Sequence, residues 1–188
     1  MGTIASFSVP VYIDNVTEQE QFEIEVELNQ ANFDFKSGEE YGLESDALLT
    51  DIGSNIFQSD QVVKLKEVFE QHLQKYLEDV QSTVTDVKVV ASWLTKTLKG
   101  QSIAPHSHRD KDISGVYYVN TNGEDGDLIL YSPNPVIDNT KFINSGNMLT
   151  IKPKPGQIVF FPSWLLHSTT KNNTDNVRIS LAADLVVQ

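Results

Sequence analysis

With 188 residues and 39% hydrophobic content, the chain is long enough to bury a core and suits a single domain over 1–188. Its 14 basic and 26 acidic side chains give a formal charge of −12, which argues against an extended nucleic-acid surface, because such binding draws on clustered Lys and Arg. The absence of cysteine excludes disulfides, thiolate metal sites and cysteine nucleophiles together.

The opening stretch MGTIASFSVPVYI lacks a basic segment followed by a long apolar one, and no run of about 18 apolar residues occurs. Export and membrane spanning are therefore not expected, and a cytoplasmic location is. Residues 17–29 carry two signals. Thr17 and Glu20 form a capping-box pattern, whereas Phe22, Ile24, Val26 and Leu28 alternate as in a strand. Helix is the reading adopted. The clearest helix follows in SDQVVKLKEVFEQHLQKYLEDVQ, where Leu65, Phe69, Leu73, Tyr76, Leu77 and Val80 recur at three- and four-residue steps, with Ser59 or Asp60 available as N-cap.

Near residue 85 the pattern changes. A helical part over about 14–82 gives way to a β-rich core over about 85–188, with the runs VKVVASWLTKTL, SGVYYVN, DLILYS, NMLTIKP, QIVFF and VRISLAADLVV. Asn122-Gly123, Asp125-Gly126 and Pro155-Gly156 supply turn chemistry between them, the first two read as hairpin signals. Many short strands with such turns predict a mainly β fold, a sandwich or jelly roll, with the α-helices flanking it from outside. The polar stretch 132–148 is either a lid or a long connection.

Three of the four histidines lie in two β-region segments. In an extended PHSH, His106 and His108 project to one face and can address one ion, and His167 at the end of IVFFPSWLLH is the natural third ligand. Imidazole suits Fe, Zn, Cu and Ni, and three protein ligands on one side leave positions open for other molecules. A second pairing competes, because His108 and Asp110 have the spacing of a two-histidine, one-carboxylate triad. The bland account makes all of them loop residues, with His72 on the long helix. Arg178 alternates with Val177 and Ile179 and shares its strand face with Ser180. A guanidinium on an inner sheet face needs a partner, and a planar carboxylate matches its fork.

Together these segments resemble the 2-oxoglutarate and Fe(II)-dependent oxygenases, and most closely a small bacterial and bacteriophage group of them. The likeness runs through FSVPVYI, PHSHRDKDISGVYYV, GDLILYSP and PGQIVFFPSWLLHSTT with RISLA, and is densest over 103–182. The resemblance implies a double-stranded β-helix (jelly-roll, cupin-like) core. It implies Fe(II) held by His106, His108 and His167, with Asp110 as the alternative ligand, and 2-oxoglutarate bound by Arg178, Ser180 and Tyr118. Tyr117 would face the opposite side, and Trp164 is either a plug or a pocket wall. The activity implied is a dioxygenase, a hydroxylase acting on a small molecule or a peptide, with self-association left open. The rivals are a non-catalytic jelly-roll module and a three-histidine cupin-type dioxygenase without 2-oxoglutarate, which leaves Arg178 unexplained.

Overall fold

The apolar runs of the second half form strands, and those buried on both faces do not alternate strictly between apolar and polar residues. In a computed structural model describing residues 8–31, 33–43, 45–84, 86–134 and 147–188, they are β4 (Val87–Thr97), β5 (Ile113–Asn120), β6 (Leu128–Tyr131), β7 (Met148–Ile151), β8 (Gln157–Pro162) and β10 (Arg178–Val187). To these the fold adds β1 (Tyr12–Asn15), β2 (Lys36–Ser37), β3 (Leu48–Leu49) and β9 (His167–Thr169). Of these, β2, β3 and β9 have only two or three residues, too short to have announced themselves in sequence.

The strands make two antiparallel sheets. The larger has seven strands in the order β1-β8-β5-β10-β4-β3-β2, and the smaller has three in the order β7-β6-β9. This is a mainly β fold with a jelly-roll core. Side-chain alternation on β5 and β8 divides two apolar clusters. Tyr117, Ile158 and Phe160 face the helices, whereas Tyr118, Val159 and Phe161 face the smaller sheet. Asn122-Gly123 and Asp125-Gly126 do not close a hairpin. They carry the chain from β5 in one sheet to β6 in the other, with Gly123 and Gly126 at φ of 79° and 114°. The stretch read as either a lid or a long connection, 132–148, falls mostly on 135–146, outside the described residues.

Two helices cover the outer face of the large sheet. Helix α1 (Glu18–Gln30) begins with the expected capping box, and the strand-like alternation within it is deceptive. Ile24 is fully buried, but Phe22 is 63% exposed. Helix α2 (Val63–Asp79) buries Leu65, Phe69, Leu73, Tyr76 and Leu77 as the periodicity predicts, whereas Val80, the last position of that pattern, is the C-cap and is exposed. It approaches β5 closely enough that a Cβ on Gly115 would lie 2.4 Å from Phe69 Cζ.

The N-terminus of α2 departs from expectation. A short 3₁₀ turn over Ile56–Gln58 delays the helix, and neither Ser59 nor Asp60 caps it. Glu27 of α1 does so instead, its carboxylate accepting from the backbone N–H of Lys64 at 2.6 Å and of Leu65 at 3.1 Å. Two orphan donors at the positive end of the helix dipole are thereby satisfied from a neighbouring helix. Glu27→Ala is expected to lower stability by about 1–2 kcal/mol. Glu23→Ala, which removes a solvent-exposed ion pair with Lys64 and an exposed hydrogen bond from Gln19, should change it by less than about 0.5 kcal/mol. Denaturant midpoints of the two variants check the contrast.

Candidate metal centre

Backbone pairing brings the histidines together. His106 and His167 exchange reciprocal N–H···O bonds of 2.9 Å, so the segment ending at His106 extends the small sheet beyond β9. His108 N–H donates to Ser163 O in the turn after β8, also at 2.9 Å. The extended segment thus directs His106 and His108 toward His167. Ring centroids are 5.0 Å apart for His106 and His108, 4.2 Å for His106 and His167, and 5.3 Å for His108 and His167. One nitrogen from each ring lies within 4.8 Å of the other two.

The outer nitrogens are all engaged. His106 Nδ1 is 2.9 Å from Ala104 O, His167 Nδ1 is 2.8 Å from Leu165 O, and His108 Nδ1 is 2.5 Å from Asp184 Oδ1. A carbonyl can only accept, so Nδ1 carries the proton on His106 and His167 and Nε2 keeps its lone pair. Burial favours the neutral form. Desolvation depresses the pKa of His106, and desolvation, reinforced by His106 itself, lowers that of His167 to about 3. Neutral imidazoles with a committed second nitrogen are what a metal ligand set requires.

The same cavity, about 750 Å³, is lined by the three histidines together with Tyr118, Arg178 and Ser180. Arg178 is only 2% exposed. Its Nη1 donates to Gly126 O at 2.6 Å and its Nη2 to Thr97 Oγ1 at 3.1 Å, while Nε has no partner. Among the described residues no carboxylate pairs with it. Asp125 is taken up by Thr121, the Asn122 backbone and Asn176. Desolvation lowers the Arg178 pKa, opposed by Tyr118, Asp125 and Asp127, but a guanidinium keeps its charge throughout the working range. Burial pushes the Tyr118 hydroxyl up to about 12, leaving a neutral phenol in the cavity. Ser180 lies opposite Tyr118 on β5 and Thr95 on β4.

Asp110 is not part of the convergence. Its side chain is 80% exposed and its carboxylate pairs with Lys111 Nζ at 2.6 Å. His72 lies on α2, hydrogen-bonded to Tyr12 and away from the three rings. Trp164 is half exposed and does not line the cavity, and Tyr117 does face the helices. Asp184, the partner of His108, escaped the sequence reading. A signal existed, since it occupies the inward face of β10 along with Arg178, Ser180 and Ala182.

Fold and cavity together define a double-stranded β-helix protein with three imidazoles and a buried cation around one pocket. The family profile described as "Putative 2OG-Fe(II) oxygenase" matches residues 91–184, half of the chain, and the protein belongs to that 2-oxoglutarate and Fe(II)-dependent oxygenase family. Fe(II) and 2-oxoglutarate are accordingly its cofactors, and the donor set fits both. No curated protein sequence matches the chain. Similar solved structures include a 2OG-Fe(II) oxygenase-family oxidoreductase from Burkholderia pseudomallei, at 12% identity and TM-score 0.69, covering 94% of this chain and 85% of that one. A Pseudomonas putida prolyl-4-hydroxylase is 14% identical with TM-score 0.66, the match covering 96% of this chain and 94% of the other. HygX from Streptomyces hygroscopicus, crystallised with nickel, 2-oxoglutarate and hygromycin B, is 12% identical with TM-score 0.66, covering 95% and 83%. Among the described residues no helix is long and apolar enough to cross a membrane.

The geometry separates the two ligand readings experimentally. Alanine at His106, His108 or His167 is expected to abolish stoichiometric binding of Fe(II) or Co(II), whereas Asp110→Ala retains one ion per chain. Metal analysis after anaerobic equilibration and desalting distinguishes them.

Proposed function

We propose that the protein is an Fe(II)- and 2-oxoglutarate-dependent dioxygenase that hydroxylates a small-molecule or peptide substrate, releasing succinate and CO2. The observation that carries this reading is Arg178, a buried cation with a donor still free, in the same cavity as three convergent imidazoles. Uncompensated burial of a guanidinium is costly, and a ligand carboxylate is the group its planar fork matches.

His106, His108 and His167 would hold the iron through Nε2. Arg178 would bind the far carboxylate of 2-oxoglutarate, with Ser180 and the neutral Tyr118 phenol donating beside it. Gly126 O and Thr97 Oγ1 keep the guanidinium fixed before any ligand arrives, so little ordering is needed on binding. When bound, iron and cosubstrate supply the dioxygen-dependent oxidation, and the protein's share is placement and exclusion of water. The cavity is also lined by Leu43, Ile52, Trp93, Ile103 and Pro105, apolar groups that would take an apolar part of the substrate.

A structural module is disfavoured by the free donor on Arg178, and a cupin-type enzyme without an oxo-acid would leave that residue without a purpose. Fe(II) with 2-oxoglutarate, kept anaerobic, should give the visible charge-transfer band of a chelated keto acid. Arg178→Ala should raise the 2-oxoglutarate Kd by about 100-fold or more, the equivalent of losing charge-assisted hydrogen bonds of ~1.5–3 kcal/mol each. A variant with unchanged affinity would remove the clamp assignment. Substrate screening monitored by succinate release, with the mass of the product, tests hydroxylation.

A further inference from the structure

The ligand set proposed above contains no carboxylate, although the pocket does. Asp184 is 8% exposed and stands on β10 with Oδ1 2.5 Å from His108 Nδ1, a contact bridging 76 residues. His106 and His167 make the equivalent contact to neutral carbonyl oxygens, each two residues earlier in its own segment. Only His108 is given an acid. Its ring is also fixed from the side, because Trp93 lies nearly parallel to it at 18° with centroids 6.0 Å apart. A register shift after Asp184 in the pairing of β10 with β4 marks this point of the strand as irregular, as expected where a side chain is re-aimed toward a site.

We propose that Asp184 is a positioning residue that supplies, through His108, the negative charge a carboxylate ligand would otherwise bring to the metal. The inference rests on the three-histidine reading above. Where two imidazoles and a carboxylate hold an iron, the acid lowers the net charge of the centre directly. Here the acid has moved one group outward. It accepts the Nδ1 proton of His108, directs Nε2 inward and makes the ring a more strongly donating ligand. The arrangement also compensates the burial of Asp184, whose charge faces a polarised N–H and, beyond it, the cation.

The experiment uses full-length protein, stripped of metal and handled anaerobically, with Fe(II) and then 2-oxoglutarate as titrants. Asp184→Asn keeps size and an acceptor oxygen but removes the charge. Its Fe(II) affinity is expected to fall roughly 10–100-fold. The affinity of the iron-loaded variant for 2-oxoglutarate, read from the charge-transfer band, should hold or rise, because the centre then carries more positive charge. Moving the acid inward, in the double variant Asp184→Asn with His108→Asp, should recover most of the lost Fe(II) affinity. Fe(II) affinity of Asp184→Asn within about twofold of wild type overturns the proposal. So does a joint loss of iron and 2-oxoglutarate affinity, which would mean that Asp184 merely holds the fold, as would failure of the double variant to recover iron. Wild-type protein that binds no Fe(II) would instead overturn the three-histidine reading itself.

Discussion

Strand β10 carries the constraint on which the rest of the structure depends. It lies between β5 and β4 in the large sheet and is covered on both sides. Leu181, Ala183 and Leu185 point to the helices and belong to the main apolar cluster, while Arg178, Ser180, Ala182 and Asp184 line the cavity. A period of two residues thus ties packing to chemistry. One residue of slip would place the guanidinium among the aromatic rings of α2 and the leucines in the pocket, so the register that builds the core also builds the site.

That strand carries an unusual electrostatic load. Arg178 near one end and Asp184 near the other are both buried, with opposite charges too far apart along the strand to pair, and each is matched separately. Arg178 relies on one carbonyl and one hydroxyl, both neutral, whereas Asp184 relies on an imidazole N–H. A buried cation held only by neutral acceptors is under-compensated, so a ligand anion gains the stabilisation that the fold leaves unused. Binding and stability are consequently linked, since any dicarboxylate that occupies the cavity favours the folded state.

Much of this was legible in sequence, and the unread parts share one property. The long strands announced themselves through apolar runs, α2 through its period, and the three histidines and Arg178 through spacing and residue type, all of them local signals. The cap on α2 comes from Glu27, far away in the chain. Strand β9 has three residues and exists because β6 pairs with it, and Asn122-Gly123 reads as a hairpin although its flanking strands join different sheets. Asp184 escaped notice although strand alternation would place it inward, and the ring it serves left no trace, because no local pattern links positions 108 and 184. The Phe22 to Leu28 alternation shows the converse error: a local pattern with no tertiary counterpart, since Phe22 and Val26 are exposed.

The charge of the whole chain sharpens what the pocket must do. At −12 the protein repels a dicarboxylate at long range, yet 2-oxoglutarate is its cosubstrate. Salt shortens that repulsion to about 8 Å at physiological ionic strength, so the outer acids act weakly at the mouth. Inside, the low-dielectric walls reverse the balance, because a buried charge is screened far less than an exposed one. Recognition of the anion therefore cannot be a property of the surface field. On the proposed assignment it would fall to one guanidinium, held at 2% exposure between Gly126 and Thr97, and to the metal that the three histidines would hold.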